Sequence, residues 1–217
     1  MPVLAYCMLD SSISIQPPTT GVAGAPVNSI IEFGVQCFFS PLKTADFNSE
    51  SSAKEAALEF HRVLRTLFDT AAITPFRFPT IVRGKEEVSQ YLREHAQEHQ
   101  NALYRLRDLV QMEVRITESA GSDVQPSITG GEYLRLRQES VKRLQASADS
   151  LRTAIQPLLR DWRQRPRTDG IHSYALIPRT AIAEFEQRLR SIQLATGFTV
   201  RITGPWPATQ FLTSPHA

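Results

Sequence analysis

The 217-residue sequence is 41% hydrophobic and 21% charged, an ordinary globular balance with enough chain for one large domain or two of about 100 residues each. Its net charge of +2 calls for no polyanionic partner, and its apolar runs stop far short of the ~20 residues of a membrane span. Its two cysteines, Cys7 and Cys37, match no metal-ligand spacing; they read as free thiols on predicted strands, with a disulfide between adjacent strands as the alternative.

The opening MPVLAYCMLD lacks the basic and long apolar regions of a signal peptide, and residues 3–9 read as a strand. Residues 10–26, rich in Ser, Pro, Thr and Gly and without hydrophobic period, read as a loop. VNSIIEF and VQCFFS, separated at Gly34, are two tightly joined strands. A helix follows, with Ser51 or Ser52 as its N-cap and Glu55 completing a capping box with Ser52. Its apolar stripe is Ala53, Ala56, Ala57, Phe60, Leu64, Leu67 and Phe68.

In ITPFRFPTIV (73–82), Pro75 and Pro79 lack N–H donors, so the segment is an edge strand or merely extended. Strand alternation puts Phe76 and Phe78 on one face and Arg77 on the other. Arg77 then either pairs with a carboxylate or caps carbonyls between two domains, or serves as a recognition residue.

A second helix spans about residues 86–106, with Val88, Leu92, Leu103 and Leu106 inward. His95 and His99 share that stripe at i, i+4, a spacing found in zinc sites. The motif is HAQEH, without a metalloprotease glutamate or a third ligand, so the pair reads as interfacial histidines and no metal is expected. Val110, Met112, Val114 and Ile116 then alternate with polar residues, the pattern of a half-buried strand.

Residues 118–130 are a loop, and a long helix covers about 132–159. Its seam Val141, Leu144, Ala148, Leu151, Ile155, Leu158 has heptad spacing, and Pro157 kinks or ends it. RDWRQRPRTDG reads as a basic connector and IHSYALI as a central strand, apolar on both faces. A helix over 179–192 turns Ile182, Phe185, Leu189 and Ile192 inward and ends at Gly197; FTVRIT is the last strand.

The tail GPWPATQF begins with a turn at Gly204, and each proline pushes the residue before it toward extended backbone. Trp206 thereby brings up to ~200 Å² of apolar surface to one place. It is expected to pack across the domain boundary near Phe76 and Phe78.

This order predicts an α+β protein of two domains. Residues 1–106 form a modified ferredoxin-like sandwich whose first helix is replaced by the loop at 10–26. Residues 107–217 form a small sheet with a long helix and the C-terminal tail.

No Ser–His–Asp signature, nucleophile elbow or Walker loop occurs, and TGG at 129–131 is too short for a phosphate cradle. The sequence therefore predicts no enzyme, no cofactor and no small-molecule substrate. Residues 131–168 hold nine basic side chains against four acidic ones. That excess is a solvated face, a surface for an acidic protein, or a nucleic-acid site with Trp162 for stacking. The arginines are spread around the helix rather than aligned with aromatics, which weighs against nucleic acid.

TPFRFPTIVRGKEEV, QMEVRIT, TGGEYLRLR, YALIPRTAIAEFEQRLR and VRITGPWPATQF, in this order and spacing, resemble the gas vesicle synthesis protein F/L family. The resemblance runs from residue 54 onward; in residues 1–50 only the strand pattern agrees. Its most specific pieces are Gly204-Pro205-Trp206-Pro207 with Phe211, then Pro75-Phe76-Arg77-Phe78, then Gly131, Tyr133, Leu134 and Arg137. The family usually has Gly at the position of Pro79, and a second Pro and an aromatic at those of Ala208 and Thr209.

The resemblance implies a non-enzymatic accessory or minor structural protein in gas vesicle assembly, located in the cytoplasm at the vesicle. It implies the small hydrophobic shell protein and other accessory proteins as partners. The candidate partner-binding or domain-latch residues are Phe76, Arg77, Phe78, Tyr133, Arg137, Trp206 and Phe211. The alternative function is a ferredoxin-like nucleic-acid-binding module using residues 131–168.

Overall fold

A computed structural model describes residues 1–42, 49–118, 130–167, 170–192 and 197–212. The chain divides into two units, Met1–Asp108 with Pro207–Ala217, and Leu109–Trp206. The sequence reading carried the second domain to the C-terminus, whereas the return segment from Pro207 groups with the first unit. Ala208 and Phe211 are buried there, and the Arg105 guanidinium donates to the carbonyl oxygens of Phe211 and Leu212, each at 2.7 Å.

In the first unit, strands β1 (Val3–Asp10), β2 (Asn28–Glu32), β3 (Val35–Pro41), β4 (Thr74–Pro75) and β5 (Ile81–Val82) form an antiparallel sheet in the order β2-β3-β1-β4, with β5 also on β1. This is a ferredoxin-like order with a loop in place of the first helix. That loop is held near its C-terminal end: the Val22 N–H donates to the Tyr6 hydroxyl at 2.9 Å, and the Ala23 N–H to Glu59 at 2.8 Å. Helices α1 (Glu50–Thr70) and α2 (Lys85–Arg105) pack on this sheet, which explains why β1 is buried along almost its whole length. Val3, Met8, Val35, Cys37 and Phe39 meet Val88, Leu92 and Leu103 of α2. Tyr6 turns the other way, its ring 5.2 Å from that of Phe60 on α1. Both cysteines are free and buried, and burial pushes the Cys37 thiol up to about 12.

The N-cap of α1 is Ser49 rather than Ser51 or Ser52. Ser49 Oγ accepts from the Ser52 N–H and Ser52 Oγ accepts from the Ser49 N–H, each at 3.1 Å, so the second serine does the work expected of Glu55. The ITPFRFPTIV segment is extended on the β1 edge, but only two residues at each end pair with it.

The second unit contains β6 (Leu109–Glu118), α3 (Gly130–Ile155), β7 (Asp161–Arg167), β8 (Gly170–Pro178), α4 (Ile182–Arg190) and β9 (Phe198–Trp206). Its antiparallel sheet runs β7-β8-β6-β9, so this unit too has the ferredoxin-like order, here with both helices. Leu144, Ala148, Leu151 and Ile155 of α3 are buried, as are Phe185 and Leu189 of α4. Beneath them lie the buried Val110, Met112, Val114 and Ile116 of β6.

Three expectations change here. The basic connector is strand β7, paired with β8 along its whole length. The strand β6 is not simply half-buried, because Gln111 and Glu113 are buried as well, and Glu113 accepts from Arg115 at 2.8 Å. The heptad seam is buried only from Leu144 to Ile155; Val141 is exposed and Leu158 half-buried. Pro157 ends α3 as expected, and a 3-10 turn over Gln156–Leu158 follows.

Candidate functional site

Helix α3 is longer than the sheet that supports it. From Gly130 to Glu139 every residue is exposed, and burial begins at Leu144. Successive residues of a helix advance by 100°, so Tyr133, Arg137, Val141 and Leu144 lie on one face, with Leu134 and Leu136 flanking it. This is the face that Leu144, Ala148, Leu151 and Ile155 bury against the sheet further along. Its first three turns are left uncovered: Tyr133 is 51% exposed, Leu134 61%, Leu136 45% and Val141 54%.

A surface helix ordinarily keeps polar residues at such positions, so this apolar stripe is the candidate site of the second unit. Tyr133 and Arg137 stand one turn apart within it. Beside it opens a groove of about 320 Å³, lined in part by Glu118, Arg137, Ser140, Val141, Leu144 and Arg167. Arg137 thus sets a positive charge in the middle of an otherwise apolar strip, with Glu118 beside the groove. Glu118 is tied to α3 by a hydrogen bond from the Ser140 hydroxyl.

The PFRF segment is arranged differently from the expected alternation. Phe76 packs with the α2 side, 5.9 Å from the Tyr91 ring, whereas Phe78 lies 5.1 Å from Phe60 of α1. The two rings therefore serve different helices. Strand β4 ends at Pro75, the Phe76 N–H still donates to the Tyr6 carbonyl at 2.9 Å, and the chain then bends at Phe78 and Pro79, with the Thr80 hydroxyl donating to the Arg77 carbonyl at 2.6 Å, so the period of two is lost. Arg77 is exposed. Trp206, at the end of β9, is half-buried, and its indole N–H points to Thr203 Oγ1 at 3.4 Å. Phe211 is 2% exposed. Within the first unit Phe76 and Phe78 serve different helices, and within the second Tyr133 and Arg137 share a surface patch on α3.

The histidine pair is built into α2. The His95 ring stacks on Tyr91 with centroids 4.5 Å apart, and His99 Nε2 lies 3.0 Å from the Tyr91 hydroxyl. Among the described residues no group of three or more His, Cys, Asp or Glu is placed to hold a metal ion. Burial lowers the His99 pKa below the ordinary histidine range, Glu98 opposes the shift, and His95 adds to it. The unfolded chain then binds more protons than the folded one just below that range. Stability is expected to be full above the ordinary histidine pKa and to fall as the pH drops toward the depressed value. Melting temperatures at about pH 7.5 and about pH 5.5 check this. His99→Gln is expected to flatten the dependence, and an unchanged slope would remove His99 from the account.

A family model described as gas vesicle synthesis protein GvpL/GvpF matches residues 2–213. The fold is similar to the crystal structure of gas vesicle protein GvpF from Anabaena sp. PCC7120, with a TM-score of 0.80 and 17% identity over 99% of this chain and 97% of that one. It is also similar to that of GvpF from Microcystis aeruginosa, with a TM-score of 0.77 and 17% identity over 98% of this chain and 99% of that one. No curated protein sequence matches. Among the described residues no helix is long and apolar enough to cross a membrane.

Proposed function

The chain belongs to the gas vesicle synthesis protein GvpL/GvpF family, and from that premise we propose that it is a non-enzymatic accessory or minor structural protein of vesicle assembly. It binds the small hydrophobic shell protein through the uncovered face of α3 and works in the cytoplasm at the growing vesicle, together with other accessory proteins. The observation that carries this reading is the exposure of Tyr133, Leu134, Leu136 and Val141 on one contiguous helical strip. An aggregation-prone apolar client needs such a strip, laid out as helix-in-groove contacts, and needs no reaction centre. Arg137 within the strip and Glu118 beside it limit the strip's own tendency to self-associate.

The test is a pull-down with purified shell protein, comparing the wild type with Tyr133→Ser/Leu134→Ser. Loss of two apolar anchors is expected to weaken capture roughly tenfold, while stability changes by less than about 0.5 kcal/mol because both side chains are exposed. Absence of capture by the wild type, or equal capture by the variant, would reject the α3 contact. Intact vesicles after deletion of the gene would reject the assembly role itself.

A further inference from the structure

The second sheet has a face turned away from its helices. Gln164 of β7 donates to Gln145 of α3 at 2.9 Å, so its neighbours Arg163 and Arg165 occupy the opposite face, while Arg167, at the end of the strand, lines the groove beside α3. Strand register then aligns Arg165 with His172, His172 with Arg115, and Arg115 with Arg201. Directly opposed residues share a face, so one row of four cationic or protonatable side chains crosses all four strands. Arg163 extends the patch on one side.

Acid offsets the middle of the row and Arg163, and leaves Arg165 and Arg201 at its two ends. Glu113 is engaged by Arg115 at 2.8 Å and lies 3.8 Å from His172 Nδ1, and Asp161 lies 3.6 Å from Arg163. Arg165 and Arg201 are exposed. Like charges set opposite one another across strands destabilise a sheet. The row is therefore not explained by stability, and it is complementary to something anionic.

We propose that this face docks an acidic segment of a partner protein. The reading stands apart from the α3 contact, which concerns an apolar strip on the other side of the sheet. Three inter-strand steps of ~4.8 Å make the row about 14 Å long, the reach of four or five extended residues. Guanidinium forks match carboxylates in paired hydrogen bonds. A single-stranded nucleic acid would also want stacking platforms. Among the described residues, the row of Arg165 holds no Phe, Tyr or Trp. Tyr174 lies in the neighbouring row, 9% exposed, with the Arg165 guanidinium 6.0 Å from its ring centroid.

The experiment is fluorescence anisotropy of a labelled decaglutamate peptide with the full chain across a salt series, beside a single-stranded oligonucleotide of equal charge. Decaglutamate is expected to bind at low salt, to weaken steeply as salt rises, and to bind more tightly than the oligonucleotide. Arg165→Gln/Arg201→Gln is expected to lose about tenfold in affinity with an unchanged melt. Arg135→Gln/Lys142→Gln, which removes the same charge from exposed positions on α3, is expected to leave affinity within about twofold. No binding of decaglutamate, equal loss in the two double variants, or tighter binding of the oligonucleotide would each overturn the proposal.

Discussion

Truncating Phe211 to alanine is expected to destabilise the first unit by about 3–5 kcal/mol, the range for a fully buried aromatic. The ring is 2% exposed although it lies near the end of the sequence, where most chains fray. Its backbone is pinned as well, since one guanidinium, that of Arg105, accounts for two carbonyl acceptors in the same turn. Removing the ring leaves those hydrogen bonds holding a segment with much less apolar area to bury. For a chain of this size the loss corresponds to a melting temperature lower by roughly 10 °C. Trp206→Ala is expected to cost less, because Trp206 keeps part of its surface in solvent. A Phe211→Ala melt within about 2 °C of the wild type would mean that the return segment contributes little to stability.

The sequence makes some of this visible and hides the rest for identifiable reasons. Helices α1, α2 and α4 and strands β1, β3, β6 and β8 announce themselves because burial on a regular face imposes a period. Strand β7 does not, since DWRQRPR carries its alternation in arginines, and charged residues at a period of two look like a solvated linker. Once β7 is a strand, a connector with scattered positive charge becomes one end of an ordered cationic row. The misplacement of Phe78 has a different origin. Alternation holds only while the ladder continues, and the ladder stops at Pro75. Tyr133 and Arg137 can be paired from their spacing alone. Their exposure cannot, because periodicity records which face is apolar and not how far the supporting sheet extends.

Gly170→Ala is expected to disturb the register that aligns the arginines. Gly170 opens β8 with φ +151°, a conformation side chains rarely adopt. A β-carbon there would overlap the carbonyl oxygen of Ile116, which belongs to the ladder of β6 and cannot swing aside as a flexible side chain would. Backbone strain of about 1–3 kcal/mol adds to overpacking of about 1–3 kcal/mol, so a loss near 4 kcal/mol is expected in urea denaturation. The position bears on the proposed docking face as well as on folding. Gly170 pairs with Thr117 on one side and Arg167 on the other, one row below Arg165, His172, Arg115 and Arg201. Relief of the overlap by sliding β8 would shift the whole cationic row out of alignment. Gly170→Ala should therefore lose stability and decaglutamate binding together, whereas Arg165→Gln/Arg201→Gln should lose binding alone. A Gly170→Ala protein with wild-type stability and wild-type binding would show that the ladder tolerates the β-carbon and that register at this end of the sheet does not set the row.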